Sequence, residues 1–165
     1  MSKKILNKQP NSQDCFVCGM ENNKGLKARF YETGENELVC LFTPHELHQS
    51  FPHRVHGGIS AAVLDELIGR CLQIGNPDNW AVTVELNVKY HKPLPYDIEL
   101  KAVGRIEKNT RLLANGSAEI YNNAGEVAVS AKAKYMKLPV DKITTERFEG
   151  DDWKVYNLPN DPEEV

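Results

Sequence analysis

His56-Gly57-Gly58 is followed, nine positions after its histidine, by Asp65, and these residue types at this spacing suit attack on a carbonyl. The glycines stand where a loop enters a helix. The first N–H groups of a helix have no intrahelical acceptor and carry the positive end of its dipole. Glycine lets another group approach that backbone, so the N–H groups can hold the oxyanion formed on a carbonyl under attack. His56 is placed to orient the loop or to hydrogen-bond a substrate. Asp65 falls about two turns further on at roughly 1.5 Å rise per residue, with Ala61, Ala62, Ile68, Gly69 and Leu72 as helical neighbours. Such neighbours partly desolvate a carboxylate, which suits a general base or a nucleophile. Glu66 points about 100° away. With Arg70 at i+4 it reads as one half of a pair on a solvated face.

Other reactive residue types carry less. His45, His48 and His53 have no metal-ligand spacing and read as loop side chains. Of Cys15, Cys18, Cys40 and Cys71, the first two form a single CxxC with no second pair at zinc-ribbon spacing. A zinc site completed by a histidine or another chain is one reading. A turn through Cys18-Gly19 towards Asn22-Asn23 and Gly25-Leu26 is the preferred one, with no metal expected.

The elements that must position these groups follow from periodicity. Leu26–Glu32 and Glu37–Thr43 read as a hairpin around Thr33-Gly34-Glu35-Asn36. Residues 44–57 hold two prolines and four histidines and read as an irregular loop. From Gly58 to about Ile74 runs a helix with a broad apolar stripe: Ile59, Val63, Leu64, Leu67, Ile68, Cys71, Leu72 and Ile74. Glu66, Arg70 and Gln73 fall on its polar side. Four strands follow with period-2 alternation, led by Val82–Tyr90 and then by the rows from Ile98, Leu112 and Val127. The fold expected is α+β: one antiparallel sheet wrapped round one long central helix. Residues 1–24 form an N-terminal arm, 25–138 the domain, and 139–165 an acidic, loosely docked tail. Uncovered sheet edges predict dimerisation.

The formal charge is −3 and the pI near 6.0, so there is no global basic field for nucleic acid. No apolar run approaches the roughly 18–20 residues of a membrane-spanning helix, and the N-terminus lacks a secretory apolar core. The cytoplasm is the expected compartment, with neither nucleic acid nor membrane as partner.

Residues 56–65, HGGISAAVLD, resemble the signature of hot-dog-fold acyl-CoA thioesterases of the PaaI-like group. AVTVELNVKYHKPL (81–94) is similar to that family's strand after the central helix, and CxxCGxxNxxGL (15–26) to the start of some bacterial members. The resemblance implies hydrolysis of an acyl-CoA thioester without a cofactor, by a homodimer or dimer of dimers with sites shared between subunits. It implies Asp65 as the acid that activates water or attacks directly, the Gly57 N–H as oxyanion donor, and His56 as the family's histidine. It further implies Thr83 as a hydroxyl supplied by the partner to hold the attacking water. Thr83 would lie with Glu85 and Asn87 on the strand face opposite Val82 and Val84. Gly58, Gln49, Ser50 and Asn87 are the expected substrate-binding residues. Lys89, Lys92, Arg105 and Arg111 are candidates to meet coenzyme A phosphates. A non-catalytic acyl-CoA or lipid-binding module is the alternative, and a hydratase or dehydratase of the same fold ranks third.

Overall fold

The computed structural model describes residues 2–34, 36–145 and 152–165; Glu35 of the expected turn and residues 146–151 of the expected tail lie outside it. The elements run β1 (Asn7–Lys8), β2 (Asn11–Ser12), β3 (Arg29–Gly34), β4 (Glu37–Phe42), a 3-10 turn (Glu46–His48) and α1 (Gly57–Cys71). Then come β5 (Ala81–Tyr90), β6 (Leu100–Asn109), β7 (Leu113–Tyr121), β8 (Val127–Lys137), α2 (Val140–Ile143) and β9 (Trp153–Lys154). Seven strands form one antiparallel sheet in the order β1-β3-β4-β6-β7-β8-β5, and β2 pairs with β9.

The sheet wraps α1, as expected. Val63, Leu64, Leu67 and Ile68 are fully buried against an inward row that includes Ala102, Ala114, Ala118, Ala131 and Ala133. Small residues in that row let the helix sit close to the sheet. A Cβ on Gly116 would lie 2.5 Å from Ile68 Cγ2 and 2.8 Å from the Arg105 carbonyl oxygen.

Two expectations are corrected. The polar side of α1 is not solvated: Arg70 is 4% exposed and Gln73 8%. The arm and the tail cover that side. Arg70 Nη1 donates to the Pro10 carbonyl at 2.8 Å, and its guanidinium lies between the rings of Phe30 (4.3 Å) and Trp153 (4.6 Å). The described part of the tail is also not loose. Asp161 takes Lys8 Nζ at 2.6 Å and the Tyr31 hydroxyl at 2.6 Å, while Val165 exchanges backbone hydrogen bonds with Lys3. Among the described residues, no helix is long and apolar enough to cross a membrane.

Candidate active site

The loop before α1 is built around histidine, for a structural reason. His48 is 2% exposed; its Nδ1 accepts the His45 N–H at 3.0 Å, and its Nε2 lies 2.8 Å from the Lys24 carbonyl oxygen. Burial lowers its pKa below the usual value, so it serves as a neutral bridge with Nε2–H as donor. The His48 carbonyl then accepts the His56 N–H at 2.8 Å, which sets the entry to α1.

His56 is the N-cap of α1, and its Nδ1 accepts the Gly58 N–H at 2.9 Å. The Gly58 N–H is thereby engaged in the cap. Gly57 is the first helical residue, whose N–H has no acceptor in the helix. It opens on a cleft of about 320 Å³ whose lining includes Ser60, Tyr90, Lys92 and Leu94. The Tyr90 hydroxyl donates to the Gly57 carbonyl at 2.7 Å and holds this turn in place.

Asp65 occupies a second cleft, of about 160 Å³, with Glu66, Trp80, Thr83, Tyr135 and Trp153. Two hydroxyls converge on its Oδ1: Thr83 Oγ1 donates at 2.8 Å and the Tyr135 hydroxyl lies at 3.0 Å. The same tyrosine oxygen lies 2.7 Å from the Asp65 backbone carbonyl. Burial, and then the Asp65 charge beside it, push the Tyr135 phenol well above its usual range, so it remains a donor.

The contact to Thr83 corrects the strand-face expectation. In β5 the register against β8 shifts between Thr83 and Glu85, leaving Val84 as the extra residue of a bulge. The bulge reverses the alternation, so Thr83 turns towards the helix while Glu85 stays outside. A hydroxyl expected from a partner therefore reaches Asp65 from its own chain. Tyr135 has no counterpart in the expected site. Its only signal in the sequence is a tyrosine ending the small inward row of β8.

The remaining candidates are not brought to Asp65. Gln49 and Ser50 are exposed in the loop, where Gln49 bridges Val55 and the Ser50 N–H donates to the Arg54 carbonyl at 2.9 Å. Asn87 lies on the outer face of the sheet in a groove with Glu85 and Lys132, and Lys89 and Arg105 line that outer face too. Of the four basic candidates, Lys92 is the one that lines the Gly57 cleft.

A family model described as the thioesterase superfamily matches residues 53–129, a stretch that holds the α1 entry, Asp65 and Thr83. Rat acyl-coenzyme A thioesterase THEM4 is 33% identical over 95 residues, covering 57% of this chain and 40% of the rat protein. Mouse acyl-coenzyme A thioesterase 13 is 24% identical over 96 residues, covering 58% of this chain and 69% of that protein. The match therefore spans only about two fifths of the rat relative's length.

Solved structures show the same hot-dog fold. Zebrafish thioesterase superfamily member 2 superposes with a TM-score of 0.61 at 19% identity, covering 67% of this chain and 80% of that one. A hypothetical thioesterase protein from Streptococcus pneumoniae, solved with coenzyme A, gives 0.61 at 16% identity, covering 68% of this chain and 86% of that one.

Proposed function

We propose that this chain hydrolyses acyl-CoA thioesters at a site completed by a second copy of itself. The carrying observation is a separation. Gly57 and Asp65 are eight residues apart on one straight helix, about 12 Å along its axis at 1.5 Å per residue, and they line different clefts. One thioester carbonyl cannot meet both in a single chain. The outer edge of β5, last in the sheet order, supports the remedy: among the described residues this ten-residue strand is paired on one side only, by β8, with Val84 54% exposed on it. Two such edges paired about a two-fold axis would set two α1 helices antiparallel, bringing the start of one towards the middle of the other. A homodimer, or a dimer of such dimers, follows.

In that arrangement the Gly57 N–H of one copy polarises the thioester carbonyl. Asp65 of the other takes a proton from water through Oδ2, its Oδ1 being held by Thr83 and Tyr135. The water oxygen bonds to the carbonyl carbon, the oxyanion collapses, and the carbon–sulfur bond breaks. The thiolate leaves with the proton that Asp65 had taken, giving a carboxylic acid and free coenzyme A. Lys92, beside Gly57, suits a phosphate of the coenzyme. His56 acts as the cap that fixes Gly57. Residues 25–138 make the catalytic unit, with the arm and tail clasped on α1. No step calls for a metal or redox cofactor.

A free-thiol assay over a panel of acyl-CoAs tests this reading. Thiol release that Asp65→Asn abolishes is the expected result. Acyl-CoA binding without thiol release would overturn it in favour of a binding module.

A further inference from the structure

Outside the acyl site, the cluster that the mechanism leaves unused is the CxxC of the arm. Its turn is tightly built. The Cys18 N–H donates to Cys15 Sγ at 3.4 Å and the Gly19 N–H to the Cys15 carbonyl at 2.7 Å. Only glycine permits that closure, since a Cβ at position 19 would stand 2.3 Å from the Cys15 carbonyl oxygen. Asn11 Nδ2 holds the Cys18 and Ala28 carbonyls, each at 2.7 Å, and the Leu26 and Ala28 N–H groups bond to Phe16 and Val17. Two sulfurs are thus presented together by a fixed turn, with Cys18 fully buried and Cys15 partly open.

A third group meets them from α1. One ligand atom each of Cys15, Cys18 and Glu66 lie within 4.8 Å of one another. Tetrahedral zinc, with about 2.3 Å to sulfur and about 2.1 Å to oxygen, keeps its ligand atoms about 3.6–3.8 Å apart, so small side-chain movements close the set. We propose that Cys15, Cys18 and Glu66 bind a zinc-class divalent cation that ties the N-terminal arm to the central helix.

Charge and geometry favour an ion over a disulfide. Arg70 Nε holds Glu66 Oε1 at 2.8 Å, and its buried Nη2 has no hydrogen-bond partner among the described residues. Two thiolates and one carboxylate are balanced by this guanidinium together with a divalent ion. Residues 16–18 form a turn rather than a helix, so no helix dipole activates Cys15 as in redox CxxC motifs. A carboxylate facing two sulfurs completes a cation site. Three protein ligands leave the fourth position to water, which reaches the partly exposed Cys15 and Glu66. Glu66 directly follows Asp65, so the ion would brace the helix turn that carries the catalytic carboxylate.

The test uses the full chain, reduced and chelator-treated, titrated with Co²⁺ alone. Thiolate-to-cobalt absorption saturating at one ion per chain, displaced by Zn²⁺, is expected. Cys15→Ser and Cys18→Ser should remove that absorption, and Glu66→Gln should weaken binding by at least about tenfold, since even outer-shell changes register on that scale. Circular dichroism identifies folded variants, and the partly exposed Cys15 and Glu66 supply the test if Cys18→Ser does not fold. No thiolate absorption from the folded reduced protein would overturn the proposal. So would absorption that survives Cys15→Ser.

Discussion

Thr83 Oγ1 donates to Asp65 Oδ1 at 2.8 Å within one chain, because a bulge at Val84 turns the threonine inwards. The contact orients the carboxylate before any substrate arrives. Asp65→Asn should lower kcat by about 10²–10⁴, the range of a general base, with the thermal midpoint unchanged. Thr83→Ala should lower kcat by about tenfold, the lower end for a hydrogen bond to a charged group, and Thr83→Ser should restore it. Equal rates for Thr83→Ala and the parent would remove the hydroxyl from the site.

Tyr135 holds the same oxygen and the Asp65 backbone as well. Tyr135→Phe should therefore reduce kcat with KM little changed. It should also cost about 1–3 kcal/mol of stability through lost partners of buried groups. Urea denaturation alongside steady-state kinetics reads both effects, and a change in KM alone would place Tyr135 on the substrate instead.

The proposed sharing of the site between two copies makes a prediction about mixtures. Gly57→Pro deletes one N–H at the first helical position, where proline is tolerated and the preceding His56 is already extended. Alone it should be as inactive as Asp65→Asn. Subunits of the two variants exchanged together should recover about a quarter of parental activity, since half of random dimers carry one intact site of two. No recovery after verified exchange would place each site in one chain.

His48 makes stability depend on pH. Its folded pKa lies below the usual 6.5 because burial disfavours its charged form. The unfolded chain therefore binds the proton first. The contribution is fully present above about pH 6.5 and falls as the pH drops from there towards the folded value. Urea midpoints at stepped pH should decline over that window in the parent and decline less in His48→Gln. Identical slopes would show that another group is responsible.

Gly116 sets the distance between β7 and α1. Gly116→Ala should destabilise the fold by about 1–3 kcal/mol, as overpacking does. A denaturation midpoint equal to the parent's would show that Ile68 gives way freely.

Much of this was legible in one dimension. The helical period identified α1 and placed Asp65 apart from Glu66. Alternation identified the strands that wrap the helix, and His56-Gly57-Gly58 marked the helix start. These are local properties, fixed by side-chain period and by the unsatisfied donors of a helix terminus. Only tertiary structure decided the rest. A single extra residue in β5 reversed the facing of Thr83, and simple alternation cannot foresee a bulge. Arg70 and Glu66 have the spacing of a solvated pair. Whether water or another segment covers them depends on where the arm and the tail settle. That docking buries Arg70 and sets Cys15 and Cys18 beside Glu66, a meeting of groups about 50 residues apart that no local spacing encodes.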